Sequence, residues 1–319
     1  MGAFEGGGGK GETVNFSVSE SGSASSATTT SPSSFVVDRE VEKRYSLFGL
    51  SRVTLRPFEA MSSYEDNAFD RLCIGLFSRK LAEEAGPEAV AALQEGEGGG
   101  VGSFEGFAGS ARAVLARYKS QAELARAIRR VLNTICPPWF SAWMRAVFKP
   151  TRLVCEASAF MTGPMFSWLV GPLEIFQHRA EDTVEARRDR EGEGNAEEYV
   201  PPLISSGLQI QKCRYLEVSG CSAQCINLCK RPTQDFFREE FGLPVYLKPN
   251  FEDGSCQLIF GQLPPPDELD PALVQGCLSR CPQGTNFEPA AQPMREGGVQ
   301  APPAAPVRKC HRIDWDDLS

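Results

Sequence analysis

The stretch "GCSAQCINLCKRPTQDFFREEFGLPVYLKPNFEDGSCQLIFG", Gly220 to Gly261, decides the fold class. Cys221 to Lys230 contain no breaker and read as a helix, with Ser219 placed to cap it and Pro232 to stop it. Thr233 then caps a second helix, QDFFREEF, which Gly242 ends. Beyond it the apolar period falls to two. VYLKP (245–249) and SCQLIF (255–260) read as strands of a hairpin turning at Asp253-Gly254. Cys256, Leu258 and Phe260 share one face of the second strand, so Cys256 is expected to point inward. Pro264, Pro265 and Pro266 close the sheet.

Upstream, LQIQKCRYLEV (208–218) reads as another strand. In YEDNAFDRLCIGLFSRKLAEEAG (64–86), Phe69, Leu72, Leu76 and Leu81 recur near helical spacing and Gly86 ends the pattern. A Gly-rich loop (96–109) lacks any phosphate-cradling motif, and a helix over 109–135 is apolar at Val114, Leu115, Leu124, Ile128 and Leu132. The uncharged segment ASAFMTGPMFSWLVGPL (157–173) is interrupted at Gly163-Pro164 and Gly171-Pro172, too short and broken to span a bilayer comfortably. It reads as a buried helical hairpin, or as a pocket wall or peripheral membrane contact. A charged linker (179–199) follows.

The expected fold is α+β, with N-terminal helices packed on a small C-terminal sheet that carries a Cys-rich helix. The expected domain covers 37–283, its Cys-rich block 207–283. Residues 1–36 read as a disordered or targeting extension and 284–319 as a Pro-rich disordered tail.

Composition narrows the function. Net charge is −8 and the cations are spread among acids, so nucleic acid is not the expected partner. The only histidines are His178 and His311, which argues against multi-histidine iron sites and HExxH hydrolases. Eleven cysteines, seven of them between Cys213 and Cys281, fit a reducing compartment better than a secreted disulfide scaffold. Residues 1–36 are rich in Ser, Thr and Gly like a plastid transit peptide, yet contain no Arg and include Glu5, Glu12 and Glu20.

On an α-helix, Cys221, Cys225 and Cys229 form one stripe drifting about 40° per step, with the outer pair about 12 Å apart. At most two could then bind one ion, and further ligands would come from Cys256, Cys213, Cys277 or Cys281. Three readings stay open: a metal or redox site, thiols packing helix on sheet, and a disulfide within CxxxC at 277/281. Cys221, nearest the helix N-terminus, is the thiol expected to be most acidic.

The run "KCRYLEVSGCSAQCINLCKRPTQDFFREEFGLPVYLKPNFEDGSCQLIFGQLPPP", followed by "DPALVQGCLSRC", closely resembles the C-terminal block of plastid β-carotene isomerases of the dwarf-twenty-seven type, which feed strigolactone synthesis. "YEDNAFDRLCIGLFSRKL" (64–81) and "FSWLVGPLE" (166–174) extend the likeness over most of 60–282. The resemblance implies a plastid enzyme that interconverts all-trans and 9-cis β-carotene, or a related carotene, and contains iron, mononuclear or as an iron–sulfur cluster.

Candidate metal ligands are Cys221, Cys225, Cys229 and Cys256; Cys213, Cys277 and Cys281 are further candidate thiols. Rotation about a polyene double bond requires its bond order to fall transiently, by electron transfer, protonation or reversible addition. A Cys-rich, His-poor site suits electron transfer or addition. An apolar carotenoid substrate wants apolar walls and access from a membrane, for which Phe166, Trp168, Phe236, Phe237 and Phe241 are candidates. The competing functions are a non-enzymatic plastid metal-binding or redox-thiol module, and a carotenoid-binding protein.

Overall fold

The computed structural model describes residues 37–179 and 203–278, apart from positions 38, 47, 48, 58, 97, 98, 148 and 149. All of them belong to one unit, Phe35–Ser319. The extension 1–36, the linker from 180 to 202, the tail, and with them Cys281, Cys310 and His311, lie outside the described residues.

Three short strands come first: β1 (Val41–Tyr45), β2 (Ser51–Leu55) and β3 (Ser63–Glu65), an antiparallel meander. Six helices follow: α1 (Ala68–Ala85), α2 (Pro87–Gln94), α3 (Phe104–Arg117), α4 (Gln121–Ile135), α5 (Pro138–Val147) and α6 (Arg152–Val170). The second sheet is antiparallel in the order β4-β5-β7-β6, from β4 (Leu173–Arg179), β5 (Leu203–Ile210), β6 (Val245–Pro249) and β7 (Cys256–Phe260). Between β5 and β6 lie α7 (Arg214–Ser219) and a longer helix, α8, from Ser222 to Phe241. The class is α+β, with a helical layer on a small C-terminal sheet. One apolar core joins Ile74, Phe107, Leu124, Trp168, Ile226 and Phe260 from both layers.

Helix α1 starts where Asn67 accepts the Asp70 amide through its side chain at 2.9 Å, a standard N-cap. Its buried face is Asp70, Ile74, Ser78, Leu81 and Ala82, whereas Leu72 and Leu76 face outward. The apolar spacing marked the helix but not which side it buries, because buried Asp70 takes hydroxyls from Ser46 and Ser51 and turns that side inward.

Four further expectations are corrected. The Gly-rich loop ends at Ser103, whose side chain caps Gly106 at 3.0 Å, and the expected helix over 109–135 is two helices. The chain is extended at Tyr118 and Ser120, and the Tyr118 hydroxyl donates to Glu84 of α1.

Residues 157–173 form no hairpin. Helix α6 runs through Pro164 to Val170, and a turn at Gly171 leads straight into β4. The strand expected over 208–218 stops at Ile210. RYLEVS is a short helix whose Arg214 pairs with Asp66, just after β3, and whose Glu217 pairs with Lys212 and accepts from the Tyr64 hydroxyl of β3.

Pro232, finally, does not stop its helix. The backbone is π-helical over Cys225–Lys230, where the Arg231 amide reaches back five residues to Ile226, and Pro232 falls at the start of the next α-helical segment, Arg231–Phe236. A missing N–H costs little at that place. A second π-helical stretch, Phe237–Phe241, ends at Gly242 in the left-handed conformation (φ 67°), the ending expected from the sequence.

Candidate functional site: a buried thiol cluster

Four segments bring the cysteines together. Cys213 follows β5 and opens α7, its amide bonded to the Gly254 carbonyl at 2.8 Å. Cys221 is the N-cap residue of α8, in extended conformation, and so stands off the helix that Cys225 and Cys229 ride on. Cys256 begins β7, paired with Ile210 on one side and Pro249 on the other. As expected, it faces inward with Leu258 and Phe260.

Cys213, Cys221, Cys225 and Cys256 are buried and Cys229 is half-buried. Cys277 is half-buried against the same core, near the start of α8, where Ser222 donates to the Gly276 carbonyl at 2.9 Å. The proposed bridge to Cys281 lies outside the described residues.

Tyr215 sits at the centre. Burial raises its phenol well above the usual range, and the neighbouring Cys229, Cys221, Cys225 and Cys213 add to the rise. Its hydroxyl donates to Gln224 Oε1 at 3.2 Å. Burial likewise pushes the Cys213 thiol up to about 11 and Cys229 to about 12, and Cys225 and Cys256 move in the same direction. The Lys230 ammonium works against that rise at Cys225, Cys229 and Cys256.

Lys230 itself is buried, bonded to Asp270 Oδ2 at 2.7 Å, the Leu247 carbonyl at 2.5 Å and Gln234 Oε1 at 3.2 Å, beneath the Tyr246 ring at 4.5 Å. At neutral pH Cys213, Cys225, Cys229 and Cys256 are therefore S–H groups. Desolvation outweighs the Lys230 ammonium at Cys225, Cys229 and Cys256.

Among the described residues no three His, Cys, Asp or Glu side chains converge closely enough to hold one ion. Cys221, Cys225, Cys229 and Cys256 therefore do not offer three ligands within reach of one ion in this arrangement.

The five expected pocket residues separate into two groups. Trp168 is in the core, packed on Phe77 at 5.0 Å and Phe107 at 5.9 Å, and Phe107 meets Tyr215 at 5.6 Å. Phe236, Phe237 and Phe241 form a mutual cluster, and Phe237 contacts Phe260 at 5.5 Å, on the strand that begins at Cys256. Trp168, Phe237 and Phe241 thus pack in the same core as the thiols. Phe166, the fifth, is half-buried on α6. The sequence reading missed Tyr215, Lys230 and Gln224. The signal for Tyr215 was its place two residues after Cys213, hidden by reading that segment as a strand.

The assembly is a buried thiol cluster in an α+β scaffold, and the comparisons with known proteins give the family of the chain. Residues 168–269 match the C-terminal family of β-carotene isomerase D27-like proteins. The chain is 32% identical to the chloroplastic β-carotene isomerase D27 of Medicago truncatula over 232 residues, 73% of this chain and 79% of that one. It is 29% identical to the Arabidopsis thaliana protein of the same name over 228 residues, 71% of this chain and 75% of that one. The chain belongs to the D27-type β-carotene isomerase family, and is an isomerase. Both relatives are named chloroplastic, which by resemblance places this chain in the plastid. No solved structure matches it.

Proposed function

We propose that the protein interconverts all-trans and 9-cis β-carotene, or a related carotene, at the thiol cluster. The observation that carries this reading is the gathering of Cys213, Cys221, Cys225 and Cys229 around Tyr215 within the family-matched segment. Cis–trans isomerisation is redox-neutral, so whatever lowers the bond order has to be undone.

Standing S–H groups suit reversible addition. Sulfur bonds to one polyene carbon and the hydrogen goes to its neighbour. The former double bond, now single, rotates, and elimination restores both the double bond and S–H. Lys230 supports the step by favouring negative charge on sulfur as S–H is given up, and the aromatic surroundings exclude water.

The test is chromatography of carotene isomers after incubation with purified protein and with Cys225→Ser and Cys256→Ser variants, alongside metal analysis of anaerobic protein. Interconversion by the parent that falls at least tenfold in either variant supports the thiol step. Full activity in both variants removes it, and unchanged isomer ratios with the parent remove the isomerase reading. Iron at full occupancy that is lost with Cys225→Ser would restore a metal role.

An apolar substrate also requires a meeting place with membrane. We infer that α5 and α6 supply it, because Trp139, Trp143, Phe160, Met161 and Met165 are exposed on them. Interfacial Trp and apolar helix faces are the usual means of peripheral contact.

A further inference from the structure

Helix α5 is inside out. Among its described side chains Ser141 is the one that is buried, while Trp139 and Trp143 are 73% and 53% exposed and Phe140 is exposed beside them. None of the described α5 side chains belongs to the apolar core that joins the helices to the second sheet. A surface helix ordinarily buries its apolar stripe and leaves its polar side in water. Here the polar residue faces in and serves as a fastening. The Ser141 hydroxyl donates to Glu240 Oε2 at 2.8 Å, and Arg145 Nη1 donates to the Glu239 carbonyl at 2.6 Å.

The surface that α5 packs on is the end of α8, Phe237–Phe241. No residue of that stretch is fully buried. Its Phe237 and Phe241 stack with Phe236, and Phe237 leads on to Phe260, on the strand that begins at Cys256. Lifting α5 takes none of its described side chains out of the core and breaks polar contacts near the surface, where such contacts contribute little.

Charge identifies what would lift it. From position 124 to position 155 the sequence holds six cations and no acid, in a chain of net charge −8. Two of the six, Arg126 and Arg145, donate to the carbonyls of Ala122 and Glu239 rather than to carboxylates. Exposed tryptophans suit the headgroup region of a bilayer, and arginines left without a counter-charge add attraction to anionic lipid.

We propose that α5 is a strap across the entrance to the thiol cluster. On a bilayer carrying anionic lipid, Trp139 and Trp143 pass into the headgroup region, α5 leaves Phe237 and Phe241, and the apolar substrate slides over these rings toward Phe260 and Cys256. The substrate and the membrane contact rest on the function proposed above; the opening rests on the inverted face of α5.

The experiment is hydrogen–deuterium exchange of the full chain, read peptide by peptide, with and without vesicles of galactolipid and phosphatidylglycerol. Vesicles should slow exchange over 138–147 and speed it over 237–243, each by at least about threefold, because the end of α8 loses its cover and its bond from Arg145. A Ser141→Ala, Arg145→Ala double variant should show the faster 237–243 exchange without vesicles. A Trp139→Ser, Trp143→Ser double variant should respond to vesicles in neither segment. Slowing in both segments of the parent means that α5 docks without opening and overturns the proposal, and so does no change in either. Protection of α5 that follows protein concentration instead of lipid assigns the face to a second copy and overturns it too. Opening without isomerisation of any carotene defeats the enzymatic reading alone; isomerisation with 237–243 unmoved by vesicles defeats the strap alone.

Discussion

Lys212 is 2% exposed, yet its ammonium is fully engaged. It donates to the carbonyls of Arg56, Pro57 and Ala60 at 3.0, 3.0 and 2.5 Å, and pairs with Glu217 at 2.7 Å. Glu217 also accepts from the Ser62 amide and the Tyr64 hydroxyl. Removing one partner of a buried pair strands the other, so Lys212→Met should cost about 3–5 kcal/mol in urea unfolding. A loss under about 1 kcal/mol would show that the cage contributes little.

The thiols make a second prediction at this scale. Their folded values lie above those of the unfolded chain, so stability is whole below the unfolded thiol value of about 8.5 and falls as pH climbs toward the folded values. Each thiol contributes a slope of about 1.4 kcal/mol per pH unit in that window. The buried phenols of Tyr64 and Tyr215 act with the same sign. Urea midpoints between pH 8 and 10.5 should fall less steeply in Cys213→Ser than in the parent, and parallel slopes would refute the assignment. Neither Lys212 nor Tyr215 stood out in the sequence, since a buried lysine and a solvent-facing one are spelled alike and only long-range partners distinguish them.

The hairpin of β6 and β7 was legible because turn chemistry and period two are local signals. The fate of Pro232 was not, because it depends on a change of hydrogen-bond register one turn earlier. The same change spoils the sequence estimate of a regular thiol stripe, which assumed α-helical spacing throughout. The strand β5 also hides a constraint. Gly207 lies opposite Phe176 of β4, and a Cβ there would lie 2.5 Å from the phenyl ring. Gly207→Ala should therefore cost about 1–3 kcal/mol by overpacking, read as a lowered melting temperature. Adding Phe176→Leu should recover part of it; equal losses in single and double variants would place the strain elsewhere.

For the whole molecule, family and class were readable because the Cys-rich block carries several specific motifs in order. The proposed membrane face was only half readable. Apolar composition in 157–173 was plain, but its direction depends on which side of α6 the core claims: Trp168 and Ala159 face in, Leu153 and Phe160 out. The expected consequence is flotation with vesicles of neutral plastid-type galactolipid. Replacing Trp139 and Trp143 by Ser should shift most of the protein to the lipid-free fraction. Equal flotation of parent and variant would place the contact elsewhere.

The buried ions also set how the gene can be cut. Arg214 clasps Asp66 through two bonds of 2.6 and 2.8 Å and lies over the rings of Tyr64 and Phe104 at 4.3 and 4.0 Å. Together with Lys212, it makes residues 56–66 part of the same folding unit as the family-matched segment 168–269. Expressed by itself, that segment would hold Arg214 without Asp66, and Lys212 with Glu217 but without the carbonyls of Arg56, Pro57 and Ala60. A transplant of the family-matched segment into another host chain therefore has to carry residues 56–66 along with it.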